Sequence, residues 1–200
     1  MDKYHIKVFG FFLLKSTRTF YTTYKLSLNL GEKYMYPVRL GYSTAIARIN
    51  ELLSNGHDAE ALVTAVFTAE KTLRRTLRQL VVSAGFISTI ADKIIGNLRG
   101  FDSLKNSWEI YDPNHRKLTD LITPADWKVF KDASEMRNKL IHGERVYSLI
   151  ACRKSANDVL VALNNVKSFF DTEYGYSGWA IARSRRSSEL HKDPKVRLTI

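Results

Sequence analysis

The sequence predicts an all-α protein, namely an antiparallel helical bundle of four to five main helices with a short N-terminal β-like arm and a basic C-terminal tail. From residue 43 onwards, apolar residues recur at spacings of three and four, which is the period of amphipathic helices. Glycine, proline and asparagine separate these stretches, as expected for helices joined by short connections. The 200 residues, 44% of them hydrophobic, suffice for one ordinary domain with extensions.

Residues 1–40 do not follow the helical period. The stretch 25–30 alternates strictly between polar residues and leucine, and 19–24 is rich in residues that favour strands. We therefore expect a β-hairpin or arm over 1–40, ended by Gly31 and Pro37. Aromatic residues alternate with Lys and Arg in the arm, a pattern that suits base stacking but is more typical of an amphipathic strand.

Five helical segments are predicted between residues 43 and 122. Ser43 is the predicted cap of the first helix, 45–53, and Asp58 is the predicted cap of a long second helix that reaches Val82. Six apolar residues form the buried stripe of the long helix: Leu62, Val66, Ala69, Leu73, Leu77 and Leu80. Three shorter helices follow, over 87–98, 104–111 and 117–122.

The outer side of the long second helix carries Arg74, Arg75 and Arg78. Glu70 lies four residues before Arg74, which is a favourable spacing for an ion pair on a helix. The three arginines are candidate RNA-binding residues, because guanidinium groups bind phosphates well. A solvated helix face without a ligand is the alternative interpretation.

The most clearly bounded helix lies between Thr123 and Gly143. Thr123 is a predicted N-cap, Pro124 suits the first helical position, and the Asp126 carboxylate lies at the positive end of the helix dipole. Gly143 readily adopts the left-handed conformation that ends helices. At about 100° per residue, one apolar row follows: Val129, Ala133, Met136 and Leu140, with Phe130 and Ile141 beside it.

Arg137 falls inside this apolar arc. A guanidinium keeps its charge, so in that position it must be paired or must line a cavity. A structural ion pair with Glu70 or Glu135 is one interpretation, and an anion site that includes His142 is the other. Five residues put Arg137 and His142 about 140° apart on a regular helix, so one copy directs both at one point only if the helix end swings at Gly143. A second copy across a two-fold axis would also bring an Arg and a His together.

A last long helix is predicted over 146–170, ended by Gly175 and Gly178. Five of its residues are expected to face inward: Leu149, Ala156, Leu160, Leu163 and Phe170. The predicted organisation is therefore an arm over 1–40, a helical domain over 41–175 and a basic, flexible tail over 176–200. The Lys and Arg residues of the tail would add salt-dependent affinity for a nucleic acid.

Composition narrows the partners and the chemistry. The 31 Lys and Arg against 20 Asp and Glu give a net charge of +11, which favours a nucleic acid or an anionic membrane as partner. The single cysteine, Cys152, excludes an intramolecular disulfide, and the early apolar run is too short to span a bilayer, so we expect a cytoplasmic protein. The histidines lack zinc-site spacing and no phosphate-binding glycine motif occurs, so we expect neither a metal nor a cofactor.

RNA cleavage by its own 2′-hydroxyl is the reaction class for which these residues suffice. An imidazole, with an ordinary pKa of about 6.5, can deprotonate that hydroxyl or protonate the leaving 5′-oxygen. An arginine can bind the phosphate bidentately and stabilise the charge that grows on its oxygens. The reaction needs no metal, and its products are a 2′,3′-cyclic phosphate and a 5′-hydroxyl.

The stretch Arg137-Asn138-Lys139-Leu140-Ile141-His142 resembles the R-x(4–6)-H motif of the HEPN superfamily, in which a polar residue commonly follows the arginine. The resemblance covers roughly residues 43–170 and includes the long second helix and the position of the motif at the end of a late helix. It implies a metal-independent endoribonuclease whose site forms at a homodimer interface, with Arg137 and His142 as catalytic residues. Asn138 would orient the histidine or the phosphate. Three further residues are candidate supporting residues: Glu70, Glu135 and Lys139.

Members of the HEPN superfamily serve as toxins of toxin–antitoxin pairs, antiviral effectors and RNA-processing factors. The resemblance therefore implies RNA as a partner, a homodimer, and an antitoxin or other regulatory protein as a further partner. One toxin subgroup carries a tyrosine two residues after the histidine, which a partner nucleotidylates; here that position is Glu144, which argues against this mode of control. Two alternatives stay open: an inactive HEPN-like module that binds RNA or a partner protein, and a helical DNA-binding protein.

Overall fold

The computed structural model describes residues 41–191, and all regular structure in this range is helical. Seven α-helices and one short 3-10 turn occur there: α1 Tyr42–Ser54, α2 Asp58–Ser83, α3 Ser88–Asn97, α4 Gly100–Tyr111, α5 Leu118–Leu121, α6 Pro124–Ile141, α7 Leu149–Tyr174 and the turn Arg185–Ser187. The all-α prediction is confirmed for these residues. The arm predicted over 1–40 and the end of the predicted tail, 192–200, lie outside the described range. No helix within that range is long and apolar enough to cross a membrane.

Helix α2 is the element against which most of the other helices pack. It contacts α1, α3, α4, α6 and α7, and α6 also packs along α7. All six residues of the predicted α2 stripe are buried in the core. Burying one leucine side chain contributes roughly 1.5–3 kcal/mol, so this stripe is a main source of the stability of the fold.

Two predicted helix starts are wrong. Ser43 is not a cap, because α1 already begins at Tyr42 after Gly41, with no side chain bonded to the first turn. Asp58 is the first residue of α2 rather than its cap, and its buried carboxylate accepts a hydrogen bond from Arg153 of α7 at 2.9 Å. The carboxylate is used for packing two helices together, which a local capping rule does not anticipate.

The last long helix begins later than the sequence predicts. Ser148 is its N-cap and accepts a hydrogen bond from the backbone N–H of Ala151 at 3.2 Å, so α7 starts at Leu149 and not at 146. Leu149 is 58% exposed, and its predicted inward orientation is therefore wrong. The predicted end at Gly175 is confirmed, because this residue has a φ of +63° and follows the last helical residue, Tyr174.

Residues 176–191, here named the strap, lie along α2, although the sequence analysis assigned them to a flexible tail. Trp179 Nε1 donates to the Thr72 hydroxyl at 2.8 Å, and Gln79 Nε2 donates to the Arg183 carbonyl oxygen at 3.2 Å. Further along, the hydroxyl groups of Ser83 and Ser188 are hydrogen-bonded. The side of α2 beneath the strap carries four buried polar residues: Thr72, Thr76, Gln79 and Ser83.

Candidate functional site

Helix α6 has both ends where the sequence predicts them. The Thr123 hydroxyl accepts a hydrogen bond from the Asp126 backbone N–H at 3.0 Å, and Pro124 occupies the first helical position. At the other end His142 is the C-cap and Gly143 has a φ of +69°, which a glycine adopts without steric cost. These local signals fix the register of α6. They place Arg137 about one turn before its last residue, Ile141, and His142 one residue after it.

Arg137 is partly buried against α2, with a side chain that is 25% exposed. One terminal nitrogen donates to Glu70 Oε2 at 3.4 Å, and the Nε atom is buried without a hydrogen-bond partner. The guanidinium carries five N–H donors, so most of its hydrogen-bonding capacity is unused within the described residues. Of the two carboxylates proposed as its partner, the structure selects Glu70.

The carboxylate of Glu70 is shared between two arginines. Arg74 Nε donates to Glu70 Oε1 at 2.9 Å, which confirms the predicted pair on α2. The two terminal nitrogens of Arg74 donate to the carbonyl oxygens of Ile95 at 3.0 Å and Leu98 at 2.6 Å, at the C-terminal end of α3. Arg74 therefore joins the site to α3.

The other two arginines of the predicted RNA-binding cluster also contact the rest of the chain. Arg75 donates to the Gly178 carbonyl oxygen at 3.2 Å, and its guanidinium lies over the Trp179 ring at 5.0 Å from the centroid. Arg78 pairs with Asp92 of α3 at 2.6 Å, and the hydrogen bond raises the pKa of Arg78 and lowers that of Asp92. In this structure the arginines link α2 to the strap and to α3.

His142 and Asn138 are both exposed, one turn apart at the end of α6. The His142 backbone N–H donates to the Asn138 carbonyl oxygen at 2.9 Å, and the imidazole has no hydrogen-bond partner within residues 41–191. Arg137, in contrast, is directed to Glu70 on α2. The structure therefore brings Arg137 to Glu70 but does not bring Arg137 and His142 together within one copy.

Glu135 and Lys139 form an ion pair on the exposed side of α6. Their hydrogen bond lowers the pKa of Glu135 and raises that of Lys139. Just after the helix, the Arg145 guanidinium lies 5.0 Å from the centroid of the Tyr147 ring. Lys139 and Arg145 thus lie within three residues of His142 along the chain, and each has a partner of its own.

Exposed apolar side chains surround the C-terminal end of α6 and the start of α7. This apolar patch consists of Ile141, Val146, Leu149 and Ile150, of which Val146 is 93% and Ile150 81% exposed. Several neighbouring exposed apolar residues are typical of an interaction surface. This apolar patch is not predicted by the sequence pattern, because Leu149 fits the periodic stripe that α7 buries elsewhere.

Within residues 41–191, no three or more His, Cys, Asp or Glu side chains are grouped so that they could hold a metal ion. Comparison of the chain with protein family models, with characterised proteins and with solved structures finds no match. The function must therefore be inferred from the side chains at the end of α6 and from their neighbours.

Proposed function

We propose that this protein is a metal-independent endoribonuclease of the HEPN type, with a composite site made of Arg137 and His142 from two copies of the chain. The observation that carries the proposal is the hydrogen-bonding state of Arg137. Its guanidinium has one long bond, at 3.4 Å to Glu70, and a buried Nε without a partner. The Nε atom is closed to a ligand, but the side chain is 25% exposed, and terminal nitrogens in a fixed fork suit bidentate binding of a phosphate.

The exposed imidazole of His142 supplies the acid–base step. In the proposed reaction it accepts the proton of the RNA 2′-hydroxyl or donates a proton to the leaving 5′-oxygen. The 2′-oxygen forms a bond to phosphorus as the bond to the 5′-oxygen breaks, which leaves a 2′,3′-cyclic phosphate and a 5′-hydroxyl. In this proposal Arg137 stabilises the charge on the non-bridging oxygens, and the Asn138 amide orients the phosphate or the imidazole.

A second copy of the chain solves the geometric problem of the site. Arg137 is directed at α2 and His142 at solvent. The two side chains are separated by about 140° around the helix axis, so they do not converge within one copy. The apolar patch lies beside His142 and is the surface that we propose for a two-fold contact. Such a contact would bury the four apolar side chains and bring the ends of two α6 helices together.

The biological role that fits this proposal is that of a toxin or antiviral defence effector, controlled by an antitoxin or other regulatory protein. The support for this role is the resemblance of residues 137–142 to the HEPN motif. The net charge of +11 supports RNA as the substrate, because a basic protein attracts a polyanion.

An inactive HEPN-like module that binds RNA or a partner protein is the second candidate. The observation that favours it is the Arg137–Glu70 ion pair, since a buried guanidinium with a carboxylate partner also satisfies a structural role. In that case Arg137 would hold α6 against α2, and RNA would bind without being cleaved.

Incubation with RNA in the presence of EDTA separates the two candidates. We expect the wild-type protein to produce fragments with 2′,3′-cyclic phosphate ends, and His142→Ala and Arg137→Ala to produce none. Arg137→Lys is the matched control for charge: it keeps the cation but loses the fork, so we expect little recovery of cleavage. RNA binding without cleavage by the wild-type protein would support the second candidate.

A complementation experiment tests whether the site is shared between two copies. Arg137→Ala and His142→Ala chains with different affinity tags are co-expressed and purified through both tags in succession. We expect the mixed dimer to regain cleavage that neither variant has alone, because it holds one intact arginine and one intact histidine on opposite copies. An inactive mixed dimer would contradict the composite site.

A further inference from the structure

Arg74 is the best-anchored cation near Arg137. Its Nε donates to Glu70 Oε1 at 2.9 Å, and its terminal nitrogens donate to the carbonyl oxygens of Ile95 and Leu98 at 3.0 and 2.6 Å. Both carbonyl groups lie where α3 ends, and that of Ile95 also accepts a hydrogen bond from the Leu98 backbone N–H at 3.2 Å. An arginine with this many internal bonds is held in one orientation and has few donors left for RNA.

The charges around Glu70 do not cancel. One carboxylate, 16% exposed, lies between the guanidinium groups of Arg74 and Arg137, so the three side chains together carry one positive charge. The contact with Arg74 is the shorter one, at 2.8 Å between NH2 and Oε1, against 3.4 Å for Arg137. Glu70 is therefore bound chiefly by Arg74, and Arg137 keeps the uncompensated charge that a phosphodiester would neutralise.

We infer that Arg74 is a positioning residue for the proposed site: it holds Glu70 in an orientation that anchors Arg137 through one oxygen and leaves its remaining donors for phosphate. This inference rests on the proposed function. Without Arg74, both Glu70 oxygens could turn to Arg137 and form a bidentate pair, which is the preferred geometry of an arginine with a carboxylate. The donors needed by RNA would then be occupied by the protein's own carboxylate.

Four variants and one non-cleavable ligand test the inference. The ligand is a fluorescein-labelled 2′-O-methyl RNA, which lacks the 2′-hydroxyl nucleophile, and binding is measured by fluorescence anisotropy at low salt. The variants are Arg74→Gln, Arg78→Gln, Glu70→Gln and the double variant Arg74→Gln/Glu70→Gln. Arg78→Gln is the matched control. It removes the same charge from α2, and Arg78 also links α2 to α3, but through Asp92 and not through Glu70.

We expect Arg74→Gln to weaken RNA binding about ten-fold, which corresponds to the loss of one charge-assisted hydrogen bond to phosphate. Arg78→Gln should change the affinity less than about three-fold, as expected for one exposed charge. The double variant should return to within about three-fold of wild type, because glutamine at 70 cannot neutralise Arg137. A purely structural role for Arg74 would lower the Tm of Arg74→Gln together with its RNA binding, and neither would be restored by also changing Glu70.

Several outcomes would overturn the inference: equal effects of Arg74→Gln and Arg78→Gln, a double variant that binds no better than Arg74→Gln, or no binding by the wild-type protein. If Arg74→Gln does not fold, the same comparison is made with Arg74→Lys, which keeps the charge but cannot reach Glu70 and both carbonyl groups. Binding as expected without any cleavage of ordinary RNA would refute the nuclease proposal and leave the role of Arg74 intact. Cleavage without the binding pattern would refute only the role of Arg74.

Discussion

Replacing Asp112 by asparagine should be one of the most damaging single changes to the fold. The Asp112 side chain is 0% exposed and follows the last residue of α4. Oδ1 accepts hydrogen bonds from the Tyr174 hydroxyl at 2.6 Å and from an Arg116 terminal nitrogen at 3.1 Å. Oδ2 accepts from the Asn114 backbone N–H at 2.9 Å, and from the Arg116 backbone N–H and Nε, both at 3.1 Å. One carboxylate thus joins α4, α7 and the connection to α5.

The expected loss of unfolding free energy follows from the hydrogen bonds that an amide group cannot accept. Asparagine at 112 can keep its oxygen in the place of Oδ2 and retain three bonds, but its NH2 group then faces the Arg116 donor in the place of Oδ1. Each hydrogen bond to a charged group is worth about 1.5–3 kcal/mol, and breaking a buried pair costs about 3–5 kcal/mol. Glu173 contacts Arg116 at 2.7 Å and remains as its partner, which limits the loss of stability. We therefore expect the free energy of unfolding to fall by about 3 kcal/mol. In a protein of this size that is a fall in Tm of about 6–12 °C.

The pH dependence of the stability gives a second, independent test of the role of Asp112. Burial raises the pKa of Asp112, but the hydrogen bonds from Arg116, Tyr174 and two backbone N–H groups more than offset burial, so the pKa lies below its ordinary value. A lowered folded-state pKa means that the stabilisation is complete above the unfolded pKa of about 3.9 and is lost as the pH falls through the folded pKa. The difference in stability between wild type and Asp112→Asn should therefore narrow below about pH 4.

Urea unfolding followed by tryptophan fluorescence measures both quantities, since Trp108 Nε1 donates to the Tyr174 hydroxyl at 3.2 Å. Asp102→Asn is the control, because Asp102 pairs with Lys131 at an exposed position and should contribute less than about 1 kcal/mol. A loss below about 1 kcal/mol at neutral pH in Asp112→Asn would show that the buried carboxylate does not stabilise the fold as argued here.

Three further changes test other parts of the molecule. Gly178→Ala should destabilise the protein by about 1–3 kcal/mol in thermal unfolding and expose the strap to proteases, because the new Cβ would lie 2.7 Å from Arg75 Cβ at a φ of +88°; unchanged proteolysis would contradict this. Thr123→Ala should cost about 1 kcal/mol in urea unfolding through loss of the α6 N-cap, and no measurable loss would mean that the cap is dispensable. Ile150→Lys should abolish the proposed dimer, measured by light scattering, and RNA cleavage, without lowering the Tm. Val161→Lys, at an exposed position on the same helix outside the patch, should affect neither the dimer nor cleavage. An intact Ile150→Lys dimer would show that the patch is not the interface.

Local chemistry explains why α6 could be predicted almost to the residue. Its limits depend on Thr123, Pro124 and Gly143, each of which acts on its own backbone or on the next turn. The start of α7 was missed for a related reason. Ser148 is a normal N-cap, but apolar residues around it continue the helical period and suggest an earlier start at 146. Periodicity and capping then disagree, and the structure shows that the cap determines the boundary.

Contacts between distant parts of the chain were beyond prediction from spacing. The sequence offers Glu70 and Glu135 as equivalent partners for Arg137, and only the packing of α6 on α2 selects Glu70. The strap is a second case. It has no periodicity and a basic composition typical of a solvated tail. Its Trp179 side chain, the Arg183 carbonyl oxygen and the Ser188 hydroxyl nevertheless form hydrogen bonds with the buried polar residues of α2. Polar residues on an otherwise apolar helix face were the available signal for a covering segment, since buried polar groups need partners.

The number of positive charges does not by itself identify a ligand site. Arg74, Arg75 and Arg78 are adjacent, basic and well spaced for phosphates, but the structure gives each of them bonds to other parts of the chain. Arg137 lies on an apolar face and has one long hydrogen bond and a buried, unpartnered Nε. Because leaving a buried donor unpaired costs free energy, such a donor needs an explanation that a solvated arginine does not. Unused donors at a fixed position, and not positive charge as such, are therefore the reason for proposing Arg137 as the phosphate-binding residue.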